Sequence, residues 1–177
     1  MHWFLFAAAL AQHPDAIRFE GELSSEDSSV TVQADAPSAW PGTRRARVVG
    51  REPFTAWPDQ QAHPVLEIDC THHAIGVQLQ TPFPPEMGVA NAASERVRVS
   101  VRYDLGTPER LVLRRVEGGL AVRRPRPFLE RLLAYEQVEV TYTPFASEPT
   151  WSTFDISALR AVVDQVTADC GLRAPRS

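Results

Sequence analysis

The chain has 177 residues, 44% apolar and 23% charged, the make-up of a single globular domain able to bury about two-thirds of its unfolded surface. A net charge of −4 gives no electrostatic basis for binding nucleic acid or an anionic membrane, and all 18 basic residues are arginine. Fifteen prolines fall mostly between the periodic runs and mark ordered turns rather than a disordered tail.

The chain begins "MHWFLFAAALAQHPDA", with an apolar run from Trp3 to Ala11. That run is too short for a bilayer span, which needs about 20 residues. It suits the core of a secretory signal, and Ala9-Leu10-Ala11 supplies the small-x-small pattern of a cleavage point. Residues 1–11 are therefore expected to be a short signal peptide and 12–177 one globular domain. An apolar first strand is the alternative. No later stretch could cross a membrane as a helix.

"SSVTVQA" (Ser28 to Ala34) alternates apolar and polar residues as a half-buried strand does. "DAPSAWPGTRR" is a turn-rich connection, and "RARVVGREPFTAW" (Arg45 to Trp57) holds a strand of unclear period. "VLEIDC" puts Leu66, Ile68 and Cys70 on a buried face, with Val65, Glu67 and Asp69 on the other. "AIGVQLQ" follows at hairpin distance across Thr71 to Ala74. Val97, Val99, Val101 and Tyr103 in "ERVRVSVRYD" alternate with Arg96, Arg98, Ser100 and Arg102, the clearest strand in the chain. "ERLVLRRVEGGLAVRR" pairs with it and turns again at Gly118-Gly119. "RPFLERLLAYEQ" changes to helical spacing, with Pro127 suited to the first helical position. "QVEVTYTPF" and "TWSTFDI" return to strand.

Leu159, Val162, Val163, Val166 and Cys170 then form one stripe of a C-terminal helix, capped by Asp155 or Ser157 and stopped at Gly171. The expected fold is mainly β with helices. Either a β-sandwich or a curled antiparallel sheet carries the short helix and the C-terminal amphipathic helix, because hairpin-length links argue against parallel units. Cys70 and Cys170 both point inward. They suit a disulfide stapling helix to sheet; two separate buried thiols are the other reading.

The ending "TPFASEPTWSTFDISALRAVVDQVTADCG" resembles the close of bacterial type VI secretion system-associated proteins of the VasI/TagO kind. "PVLEIDC", "SSVTVQADA" and "VRVSVRYDLGTPE" resemble their earlier strands. The likeness spans most of Ser28 to Gly171, while the stretch from Pro37 to Ala62 has no counterpart. The resemblance implies an exported β-rich domain with a disulfide between the matching cysteines, Cys70 and Cys170, and no established catalytic residues. It places the chain in the periplasm or outside the cell, as an envelope accessory acting on a protein partner.

Reactive side chains crowd only in "IDCTHHA". A metal site there would use Cys70 with His72 or His73 and a distant His63, but no second paired motif completes four ligands. A Cys/His-centred hydrolase would need an exposed thiolate at Cys70. Arg96, Arg98 and Arg102 share a strand face that could dock a partner, and "RRPRP" (Arg123 to Pro127) is a second basic cluster. Trp40, Trp57 and Trp151 are expected as core or turn anchors, with a small-ligand or glycan module as the alternative use of the tryptophans. The expectation is a binding protein with no catalysis, no cofactor, no nucleic-acid partner and no membrane span.

Overall fold

A computed structural model of the chain describes residues 23–25, 28–34, 44–85 and 96–171. The candidate signal peptide, Trp40 and the first part of the Pro37–Ala62 stretch lie outside the described residues. The described chain runs β1 (Leu23–Ser25), β2 (Ser28–Ala34), β3 (Arg44–Val49), β4 (Phe54–Ala56), β5 (Gln60–Ala62), β6 (Val65–Thr71), β7 (Ala74–Gln80), β8 (Arg96–Tyr103) and β9 (Glu109–Val116). It continues through β10 (Gly119–Val122), α1 (Pro125–Leu132), β11 (Gln137–Tyr142), β12 (Thr150–Asp155) and α2 (Ile156–Thr167), then ends in a short 3₁₀ turn at Ala168–Cys170.

Ten of these strands form one antiparallel sheet in the order β1-β2-β3-β6-β7-β10-β9-β8-β11-β12, and β4 and β5 make a separate hairpin. Of the two expected architectures, the curled sheet is the one found. The sheet bends until the segment after β3 meets β12: the Arg51 N–H donates to the Thr153 carbonyl at 2.9 Å, and the Thr153 N–H donates to Glu52 Oε2 at 2.7 Å. Eight strands, β3 to β12, thus nearly close into a barrel, as strong right-handed twist allows.

Alternation decides what faces inward. Ala46 and Val48 of β3, Leu66, Ile68 and Cys70 of β6, Ile75, Val77 and Leu79 of β7, Val97 to Tyr103 of β8, and Val138 to Tyr142 of β11 contribute every second residue to one core. The buried faces of α1 (Leu129, Leu132) and α2 (Ile156, Leu159, Val162, Val163, Val166) join the same cluster. α2 lies on β3 and β6 and reaches across to β11, so it fills the concave side. Of the two expected caps, Asp155 acts: its Oδ1 accepts from the backbone N–H groups of Ser157 (3.0 Å) and Ala158 (3.4 Å). Gly171 ends the helix at φ 65.

Two helix details differ from expectation. Pro125, not Pro127, opens α1, since both prolines tolerate the first turn where no N–H is needed. Arg126 of the "RRPRP" cluster, though exposed, lies over the end of the terminal helix: its guanidinium donates to the carbonyls of Cys170 (2.6 Å) and Gly171 (3.3 Å). In return, Arg160 of α2 donates to the carbonyls of Leu133 (3.1 Å) and Tyr135 (2.7 Å) after α1. Each helix thereby satisfies orphan carbonyls at the end of the other.

Candidate functional site

Cys70 and Cys170 are joined in a disulfide, with Cα atoms 6.0 Å apart. With each sulfur bonded to the other, neither serves as nucleophile or metal ligand, which removes the thiolate that a Cys70-centred hydrolase or zinc site requires. His72 and His73 form the two-residue turn between β6 and β7, both at positive φ (50 and 63), and both are exposed. This is the primed turn geometry that matches strand twist. His63 lies before the other end of β6, its Nδ1 2.8 Å from the Gly50 carbonyl. A seven-residue strand separates it from the turn, so the three histidines do not converge. Among the described residues no three His, Cys, Asp or Glu side chains come together as a metal site.

The arginine face is real and larger than the β8 pattern suggests. Arg96, Arg98 and Arg102 share the outer phase of β8, and the register sets Arg96 opposite Arg114, Arg98 opposite Val112, and Ser100 opposite Arg110. Arg102 is engaged, ion-paired with Glu139 directly across on β11. Arg98, Arg110 and Arg114 make no ion pair with any described residue. Arg96 and Arg114 are the one pair of arginines set directly opposite each other on this ladder, and the face as a whole is positively charged.

At the border of that face lies a cleft of about 560 Å³ between β8–β9 and α1. Leu111, Val112, Val122 and Phe128 make its apolar part, and Arg123 and Arg124 stand on its wall. Tyr103 and Arg131 are the fixed corner. The Arg131 guanidinium stacks 4.5 Å above the Tyr103 ring and donates two hydrogen bonds to Glu109, at 2.7 and 2.9 Å. The Tyr135 ring backs Tyr103 at 4.8 Å. Burial pushes the Tyr103 phenol above its ordinary range, opposed by the positive Arg131. The arrangement offers fixed shape, apolar floor and positive rim.

Comparison with protein families, curated proteins and solved structures finds no match to this chain. Sequence periodicity finds the β8 arginines but misses the cleft. Tyr103 and Glu109 flank a turn, and Arg131 reaches them from a helix that follows two further strands. The available signal was the coincidence of "RRPRP" with Phe128 on the same helix start. The tryptophans also depart from expectation. Trp57 does sit at a turn, but it is 75% exposed, and Trp151 occupies the outer phase of β12 at 48%. Neither anchors the core.

Proposed function

We propose that the chain is an exported, disulfide-stapled binding domain that holds an acidic, apolar-anchored segment of a protein partner in the bacterial cell envelope. The observation that carries this reading is one residue shared by two features. Val112 faces Arg98 on the arginine ladder and is also one of the residues lining the α1 cleft, so the two features meet at β9. An apolar side chain seated on Leu111, Val122 and Phe128 would leave neighbouring carboxylates beside Arg123 and Arg124, and a segment continuing past Val112 would reach Arg98 and Arg110 on the outer face. That combination of buried anchor and charged rim is how protein interfaces gain affinity and register. The disulfide supports an oxidising compartment, where such bonds persist. The resemblance to type VI secretion-associated proteins supports an accessory role beside that machinery.

The test uses the full chain, tagged and expressed in its native host, with fractionation, thiol alkylation and crosslinking. Recovery from the periplasm or medium without alkylatable thiols is expected, together with a crosslinked protein that is lost in the Arg98→Glu, Arg110→Glu, Arg114→Glu variant. Reversing three charges is expected to weaken capture by about tenfold or more, since like charges across an interface cost several kcal/mol. Cytosolic recovery as a dithiol, or capture indifferent to the reversal, would overturn the proposal.

A further inference from the structure

A second cleft lies at the opposite end of β11. The α1 cleft is near the start of that strand, where Asp104 Oδ1 accepts from the N–H groups of Glu136 and Gln137. The second, of about 460 Å³, lies beyond its far end, between the β4–β5 hairpin and the 143–149 connection to β12. Its volume is within the ~300–1,000 Å³ of small-molecule sites.

The two walls are fastened to each other. The Trp57 N–H donates to Ser147 Oγ at 2.9 Å, and the Thr55 N–H donates to Thr150 Oγ1 at 3.1 Å. Ser147 Oγ in turn donates to the Phe145 carbonyl at 3.1 Å. Asp59 and Ala146, one on each wall, hold positive φ values of 105 and 54, a conformation that non-glycine residues keep only when their surroundings impose it. The cleft is therefore a preset shape.

Its lining is equally specific. Trp57 leaves most of its indole in water, the largest exposed apolar ring system of the described residues. Asp59, Gln61 and Glu148 line the same cleft, and their side chains make no hydrogen bond or ion pair with any described residue. No arginine or histidine lines it. An open indole face beside three groups with free acceptor oxygens matches a ligand with a flat C–H face and a rim of hydroxyl donors.

We infer that this cleft is a binding site for a neutral or amine-bearing pyranose sugar, distinct from the protein-docking surface. One ring stacks its axial C–H face on Trp57. Its hydroxyl groups donate to Asp59, Gln61 and Glu148, bonds that gain strength from the two carboxylate charges. The same carboxylates repel acidic sugars. A chain carrying both sites would hold a protein at one end of β11 and a glycan at the other, as an envelope tether does.

Calorimetric titration of the oxidised full chain tests this, with cellotetraose, chitotetraose, a deacetylated chitosan tetramer, tetragalacturonate and choline as probes. Binding of at least one neutral or aminated tetrasaccharide is expected, with none of tetragalacturonate. Trp57→Ala is expected to raise Kd about tenfold or more, and Asp59→Asn with Glu148→Gln to weaken binding comparably. The latter pair keeps side-chain size and so separates ligand loss from misfolding. The Arg98, Arg110, Arg114 reversal should leave sugar binding unchanged, which keeps this inference independent of the protein-docking proposal. Absence of heat with every neutral and aminated probe at millimolar concentration would overturn it. So would undiminished binding by Trp57→Ala, or binding of choline but no sugar, which would mark an ammonium site.

Discussion

Tyr142 shows how much one inward side chain can carry. Its ring stacks on Phe54 at 5.4 Å between centroids, and its hydroxyl donates to the Phe83 carbonyl at 2.7 Å inside the core. Burial drives the phenol well above its ordinary value, with only the positive Arg115 pulling it down. A raised phenol means that the folded chain keeps a proton the unfolded chain releases. Above about pH 10, where an unfolded tyrosine ionises, the folded state binds more protons and stability must fall as pH rises. Below pH 10 this contribution is intact. Tyr142→Phe is expected to cost about 1 kcal/mol at neutral pH, because it strands the Phe83 carbonyl. It should also flatten the alkaline loss, leaving the part that belongs to Tyr103. Urea midpoints measured from pH 7 to 11 on both proteins check the crossing of the two curves. Parallel curves would show that Tyr142 does not titrate with unfolding. A second residue, Glu67, makes the complementary point on the outer surface. Alternation puts it outside, yet it is only 7% exposed, because Arg47 (3.1 Å) and Gln80 (2.9 Å) close over its carboxylate while Arg47 also donates to Gln80.

At the scale of elements, the strands with strict alternation were legible and the closure of the sheet was not. β2, β6, β7, β8 and β11 follow the period-two pattern nearly residue for residue, because one face of each must be apolar. β3 was obscure because Val49 adds an apolar residue on the outer phase, after Arg45 and Arg47 had marked it as polar. The helix stripe of α2 was fully legible, Cys170 included. What no single-strand pattern could contain is the seam, since Gly50 and Arg51 meet Ser152 and Thr153 across about a hundred residues of chain. Likewise, Glu67 is covered by neighbours from two other strands, and Arg131 finds Glu109 and Tyr103 only through the tertiary fold. The seam makes its own prediction. Gly50 passes so close to Ser152 that an added Cβ would collide with the serine hydroxyl. Gly50→Ala is expected to destabilise by about 1–3 kcal/mol, the usual cost of overpacking a close-packed contact. Ser152→Gly in the same chain should recover part of that loss, with Pro64 limiting the rest. A double-mutant cycle by denaturant unfolding measures the coupling, and additive effects would place the strain elsewhere.

At the scale of the whole molecule, the disulfide ties the end of β6 to the end of the helix that fills the sheet's concave side. The ring it closes spans 100 residues of sequence and contains β7 through α2. Such a link acts mainly on the unfolded chain, which it prevents from expanding, and a loop of this length is worth about 4.7 kcal/mol in the chain-entropy account. That is a large part of the ~5–15 kcal/mol that stabilises a typical domain. Replacing both cysteines by alanine is therefore expected to lower the thermal midpoint by about 10–20 °C, at ~2–4 °C per kcal/mol for a chain of this size. The helix braces through Arg126 and Arg160 remain in place, so the same fold should persist at low temperature without the disulfide rather than disappear. The denaturant slope separates this mechanism from loss of packing around two buried side chains. If the staple works by confining the unfolded state, its removal exposes more surface on unfolding, so the m-value must rise as the midpoint falls. A lowered midpoint with an unchanged m-value would mean that the bond stabilises the folded contacts of β6 and α2 directly, and that the unfolded chain is compact with or without it.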